Sequence, residues 1–297
     1  MQTQSGFFGK KPSIPSVSTE GWEQISASES GHSIVWRCRR SGRSRVFKGL
    51  KPALAGDPLY EALLRKEFDI GYSLVHTGIC EYFAFVDVPG RGPCIEMEWI
   101  DGKTLAERLE EKSLSAAASR KIVFELCDAL DYMHHRQVVH RDLKPENIMI
   151  TNAGNNVKIT DFGFSDSDMH QLGKEPAGTR AYAAPELLDG RDVDGRSDLY
   201  SLGLILKKMP GIPAAIAERC CAEKPEDRYQ TAAALKDALQ HRPRPVVWII
   251  LAAVLFSVLC GIWVYGRISA RKDIDRMLQE TRELIEDAGI PTTSPPA

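Results

Sequence analysis

Apolar and polar positions along the chain change their period twice. Between Trp22 and Val88 the apolar residues fall in short runs bounded by turn residues, with one longer-period stretch among them. Residues 35–40 and 44–48 flank Ser41-Gly42 and read as a hairpin. Residues 58–75 set Leu63, Leu64, Phe68 and Leu74 on one side of a helix. Residues 84–88 and 93–99 pair across Pro89-Gly90-Arg91-Gly92. From Leu105 onward the helical period dominates. Residues 116–136 place Ile122, Val123, Leu126, Ala129, Leu130 and Met133 at helical spacing. A short hairpin is expected from 148–150 and 157–159, then helices over 198–208, 214–221 and 231–239. The order predicts an α+β chain, with a small sheet-rich lobe followed by a helical lobe.

The second change comes at Val246. The twenty residues 246–265, VVWIILAAVLFSVLCGIWVY, carry no charge. As a helix they span about 30 Å, the thickness of a bilayer core. Trp248, Trp263 and Tyr265 sit near the two ends, where amphipathic rings favour the headgroup level. A single transmembrane helix is expected, with a short tail over 267–297 on the far side. The flanking charges argue the other way round. His241, Arg242 and Arg244 precede the span, and Arg267, Arg271, Lys272 and Arg276 follow it. At the opposite end, residues 1–21 are rich in Ser, Gly, Pro and Lys and read as a flexible lead-in, with residues 22–240 as the folded domain.

Composition changes the picture little. The net charge of −2 gives no case for nucleic-acid binding. The seven cysteines contain no C-x-x-C pair, which fits free thiols in a reducing compartment. Arg37, Arg39, Arg40, Arg43 and Arg45 crowd the first hairpin. Such a cluster is either a solvated face or a contact for an anionic leaflet.

The chemistry lies in His140-Arg141-Asp142-Leu143-Lys144-Pro145-Glu146-Asn147. It gathers a carboxylate, an ammonium and a carboxamide in one loop. Phosphoryl transfer needs a base for the incoming hydroxyl, a cation for the moving phosphoryl group and a metal ligand. Asp161-Phe162-Gly163 follows, and then Ala184-Pro185-Glu186. In this order and spacing the three motifs resemble the core of the eukaryotic-type (Hanks-type) serine/threonine protein kinases, over roughly residues 22–240.

The resemblance implies a two-lobed kinase-like fold with the cleft between the lobes, ATP and Mg²⁺ in that cleft, and protein hydroxyls as acceptors. It makes Asp142 the base and Lys144 the group that neutralises the γ-phosphate. It makes Asn147 and Asp161 the metal ligands. Lys48 would grip the α- and β-phosphates, held by Glu67 on the lobe's helix, with Glu61 as the rival partner. Val35, Val46 and Met149 would sandwich the adenine, Met97 would stand as gatekeeper, and Glu98 and Trp99 would form the hinge. Asp198 would brace the catalytic loop, and Arg228 would pair with Glu186. Three departures stand out. Ser28, Ser30 and Ser33 occupy the glycine positions of the phosphate loop, where backbone must approach the nucleotide. The stretch 201–228 is short, as if a substrate-side helix were missing. Residues 168–178 hold no Ser, Thr or Tyr, so Glu175 is the candidate anion for Arg141. The altered phosphate loop keeps a second class of reading open, a pseudokinase scaffold. A small-molecule kinase is the third. Ala253, Ser257 and Gly261 in the span, with Ile274, Leu278, Thr281, Ile285 and Ala288 beyond it, suggest a homodimer.

Overall fold

The computed structural model describes residues 20–27, 32–40, 42–162, 181–240 and 245–287. Outside them lie the lead-in 1–19, Ser28, Ser30, Ser41, the segment 163–180 with Glu175, the cations 241–244, and Ala288. The chain divides into two units, residues 1–240 and 241–297.

The first unit opens with a five-stranded antiparallel sheet in the order β1-β2-β3-β5-β4. Its strands are β1 Glu20–Ala27, β2 Ser33–Arg40, β3 Arg43–Leu50, β4 Tyr82–Val88 and β5 Gly92–Glu98. Arg40 pairs with Arg43 across a two-residue turn whose Gly42 has φ +77°, a conformation glycine adopts without steric cost. The central strand β3 is buried from Val46 to Leu50, because both faces of the sheet are covered. On one face Trp36, Cys38, Phe47, Val86, Val88 and Cys94 make a small separate core, closed by Trp22 of β1. On the other, Val46, Leu50, Ile95 and Met97 join Tyr60, Leu63 and Leu64 of helix α1, Pro58–Ser73.

Asp57 caps α1 by accepting from the Leu59 amide, with Pro58 at the first position. The helix ends at Ser73, two residues before the expected end. Leu74 turns extended and is buried, and the Val75 amide leaves the helix to donate to the Tyr132 hydroxyl at 2.9 Å. Gly71 is obligatory for this packing, since a Cβ there would lie 2.7 Å from the Tyr82 ring.

The second lobe is helical. It contains β6 Gly102–Thr104, α2 Leu105–Glu110, α3 Ala116–His135, β7 Ile148–Thr151, β8 Val157–Ile159, α4 Pro185–Leu188, α5 Gly195–Leu206, α6 Ala214–Cys220 and α7 Ala232–Gln240. Four of the elements, β1, β6, α2 and α4, were not legible as separate units. Strand β6 is three residues long and among the described residues pairs only with β7. Its Gly102 lies so close that a Cβ would sit 2.3 Å from the Ile150 carbonyl oxygen. A reciprocal capping box between Thr104 and Glu107 starts α2. Between α5 and α6 there is only a turn, with Gly211 at φ +76° pressed against Ala116.

The second unit is one helix, α8, Pro245–Asp287. It runs without a break from the apolar stretch into the charged residues beyond it, so the expected tail continues the same helix up to Asp287. By length and composition it can cross a membrane.

Candidate active site

The loop between α3 and β7 is built around Asp198 of α5, which is fully buried. Its two oxygens accept the His140 and Arg141 amides, each at 2.9 Å, and His134 Nε2 lies 2.8 Å from Oδ2. Arg141 takes φ +66°. A non-glycine residue there costs roughly 1–3 kcal/mol and needs its surroundings to hold it. Asp198 does so. Burial pushes its carboxyl pKa up, but the hydrogen bond and charge of His134, with His140 behind them, hold it below the ordinary range. The His140 ring spans two segments. Nε2 is 3.0 Å from the Thr160 carbonyl, and Nδ1 accepts the Asp142 amide at 3.3 Å. That pair of contacts calls for a proton on Nε2 and a free lone pair on Nδ1.

Asp142 is the hub of the loop. Its Oδ2 accepts from Lys144 Nζ at 2.7 Å and from Asn147 Nδ2 at 3.0 Å, and Asn147 Nδ2 also reaches the Asp142 carbonyl at 2.9 Å. The amide nitrogen of Asn147 is thereby committed, which leaves its carbonyl oxygen as the atom suited to a cation.

The other wall comes from the sheet. Lys48 of β3 sits between two carboxylates, 2.7 Å from Glu67 Oε1 and 2.6 Å from Asp161 Oδ1. The partner on α1 is therefore Glu67, and the rival Glu61 lies in the first turn. Tyr82 adds a hydrogen bond to the same Glu67 oxygen at 3.2 Å. Burial lowers the Lys48 pKa, yet the two carboxylates outweigh it and hold the lysine charged. Burial likewise raises Glu67, and Lys48 offsets only part of this. Asp161 is pulled below its usual range by Lys48 against burial, and it also takes a left-handed φ of +62°. Glu67 Oε2 is buried with no hydrogen-bond partner among the described residues.

The residues expected around the adenine share one hydrophobic core. Val46 and Met97 are Cα partners in β3 and β5, both buried, with Val35, Trp99 and Met149 packed against the same core. The Glu98 side chain is used elsewhere. It accepts from Lys158 Nζ at 2.8 Å and from the Glu81 amide at 3.2 Å, and the Glu98 amide donates to the Glu81 carbonyl at 2.9 Å, so neither the side chain nor the amide is left for a ligand. Of the three serines, Ser33 opens β2, and Ser28 and Ser30 lie outside the described residues. Beside Ser33, the His32 ring meets that of Tyr60 at a tilt, centroids 5.7 Å apart, and its pKa is pushed down to about 4 by burial and then by the charges of Lys48 and Lys51. His134, Tyr82 and His32 carried no signal in the sequence, because each is recruited through contacts distant along the chain.

Below the site, Arg228 forms a two-pronged pair with Glu186 at 2.7 and 2.8 Å, and Ser197 donates to the same carboxylate at 2.5 Å. The remaining Arg228 donors reach the carbonyls of Ala222, Arg196 and Glu223 at 2.8, 3.0 and 2.9 Å. The pair is buried and fully satisfied, which is the condition under which such a pair is stable.

The protein kinase domain family matches residues 30–215. The chain belongs to that family. A probable serine/threonine-protein kinase of Streptomyces coelicolor is 35% identical over 208 residues, covering 63% of this chain and 30% of that protein. Serine/threonine-protein kinase PknB of Mycobacterium tuberculosis is 31% identical over 240 residues, covering 66% and 38%. The crystal structure of a point mutant of the M. tuberculosis PknI kinase domain superposes with a TM-score of 0.58 at 26% identity, over 75% of this chain and 96% of that one. The chain thus spans about a third of the length of the curated relatives it matches and nearly all of a solved kinase domain. Membership of the kinase family implies ATP as substrate and use of a divalent metal. The donor set of Asp161 and Asn147 suits a hard cation, with one carboxylate and one carboxamide oxygen.

Proposed function

We propose that this chain is an ATP- and Mg²⁺-dependent protein serine/threonine kinase, with residues 22–240 as the catalytic domain. The observation that carries the reading is Lys48, held between Glu67 and Asp161 while Asp142, Lys144 and Asn147 are gathered in one loop. Asn147 and Asp161 would hold Mg²⁺, which supplies charge neutralisation on the phosphate oxygens. Lys48 would add a fixed positive charge at the α- and β-phosphates, steadied by Glu67. Asp142 would accept the proton of the acceptor hydroxyl, and Lys144 would neutralise charge on the transferring group. Val35, Val46, Met97 and Met149 would enclose the adenine, with the backbone at Glu98 and Trp99 as its polar edge. Ser33, with Ser28 and Ser30, would cover the phosphates.

Residues 246–265 are proposed to cross the bilayer, with the catalytic domain in the cytoplasm, where ATP is, and residues 267–297 on the far side. A parallel homodimer through the Ala253, Ser257 and Gly261 face follows from the same reading. Crosslinking through Ser257→Cys should exceed that through Leu255→Cys, and equal yields would leave the span monomeric. The decisive test is transfer of radiolabelled phosphate from ATP to a protein acceptor by the full chain in detergent. Asp142→Asn should abolish it with an unchanged melting curve. The pseudokinase reading draws on the serine-for-glycine loop. It predicts no transfer by either protein, with partner binding intact.

A further inference from the structure

The five-arginine hairpin has a feature that a merely solvated face does not need. Glu96 of β5 is buried, 3% exposed, and lies on the outer face of the sheet. Arg40 pairs with one of its oxygens, and Arg45 Nε stands 3.5 Å from the other. Arg45 is held a second time, its guanidinium 4.1 Å from the centre of the Phe83 ring. Arg40, Arg43, Arg45 and Glu96 together line a cavity of about 310 Å³. Neither Arg43 nor Arg39 has a hydrogen-bond or ion-pair partner among the described residues. One carboxylate therefore faces three arginines at the cavity. The surplus is positive, and two of its guanidinium groups are oriented in advance.

We propose that this cavity binds a phosphate monoester, and that its ligand is a phosphorylated Ser16, Ser18 or Thr19 of the chain itself. Two observations favour that source. The Glu20 Cα pairs with that of Arg39 in β1–β2, and Arg40 pairs with Arg43 across the turn, so the three hydroxyl residues stand in sequence immediately before a strand residue that pairs next to the arginine hairpin. The groups are also all arginines, whose planar forks match phosphate oxygens in pairs, and they line a hollow rather than a protruding face. A bilayer surface would be met as well by scattered, mobile lysines. A phosphoserine carries about −1.5 to −2 charges at pH 7, which the surplus arginines balance.

The proposal rests in part on the kinase reading, since such an enzyme supplies the modification. The terminal phosphoryl group leaves ATP, the hydroxyl oxygen bonds to phosphorus, ADP departs and the hydroxyl proton is released. Synthetic phosphopeptides make the binding test independent of that activity. The full chain, in detergent and carrying Ser16→Ala, Ser18→Ala and Thr19→Ala, would be titrated into labelled peptides of residues 12–21. Three peptides would bear one phosphate each, at position 16, 18 or 19, and a fourth none. At least one phosphopeptide should bind about tenfold or more tighter than the plain peptide, with inorganic phosphate competing. Arg43→Gln should remove most of that preference. Because Arg43 is exposed and unpaired, its loss leaves the fold intact, and a melting curve checks this; Arg40→Gln is the second variant. Equal binding of all four peptides would overturn the proposal, as would a preference that survives both variants. Arg43-dependent binding to phosphatidylserine vesicles without any phosphopeptide preference would overturn it too, and would assign the face to lipid.

Discussion

The two walls of the cleft are built on different principles. The wall from the helical lobe is held by buried groups with nearly every polar atom committed. Asp198 fixes two backbone amides, and Lys144 and Asn147 both converge on Asp142. The wall from the sheet is anchored at its inner end by Lys48, Glu67 and Tyr82, but its outer edge is irregular. Pairing of β1 with β2 shifts register between Glu20 and Glu23 and again between Gln24 and Ser26. That edge leads into the loop where serine stands at all three glycine positions. The difference teaches which contacts tolerate change. A charge or hydrogen-bond acceptor at a fixed point has no substitute. A loop that contributes mainly backbone approach can drift among small residues, losing grip rather than chemistry.

The largest expected effect is on the catalytic charges. Asp161→Ala and Lys48→Met should each lower the transfer rate by on the order of 10²–10³ or more, as expected when a charge aimed at the transition state is lost. Rates measured with saturating ATP, beside melting curves, check this. A rate within a few-fold of the parent, with the fold intact, would break the contrast between the walls.

Within the helical lobe, stability separates buried pairs from exposed ones next. Arg228→Ala leaves Glu186 buried without its partner, a loss of about 3–5 kcal/mol. By contrast, Lys103→Ala removes only an exposed pair with Glu111, expected to cost under about 1 kcal/mol. Thermal unfolding of the two variants should therefore give a large drop and a negligible one. Comparable drops would show that buried pairing is not what holds the helical lobe.

Acid should act through the same lobe. Asp198 and Glu186 both have carboxyl pKa values depressed below the ordinary 3.8 and 4.5. A group whose folded pKa is depressed contributes stability that is present above its unfolded pKa and is lost as pH falls through the folded one. Stability from these two should hold above about pH 4.5 and fall steeply below it. Asp198→Asn should flatten that fall in a pH series of denaturant melts. An unchanged slope would mean that other carboxylates carry it.

The smallest effect belongs to the loop. Replacing Ser28, Ser30 and Ser33 together with Gly should lower KM for ATP a few-fold at nearly constant kcat. An unchanged or raised KM would make the serine hydroxyls themselves phosphate ligands, and the sheet-side wall would then resemble its partner in principle.

Much of the fold was legible because local pattern and tertiary need coincide. The buried stripe of α3, the Ser41-Gly42 and Pro89–Gly92 turns, and Pro58 at the start of α1 act within a few residues. The phosphoryl-transfer set in His140–Asn147 was legible for the same reason: its members are neighbours in the chain. What the sequence by itself determined is thus the class of chemistry, the order of the lobes and the apolar helix beyond them.

Only the tertiary structure chose among groups far apart in the chain. Lys48 and Glu67 are separated by 19 residues and Lys48 and Asp161 by 113, and no periodicity links them. Glu61 and Glu67 both lie on α1, and burial against Tyr82 selects the second. The strands β1 and β6 exist because a neighbouring edge supplies their hydrogen bonds, not because their own residues demand extension. Glu96 gathers Arg40 and Arg45 into a pocket because antiparallel pairing puts their side chains on one face. In each case the deciding energy is desolvation. A buried charge must find its partner wherever the chain has carried it.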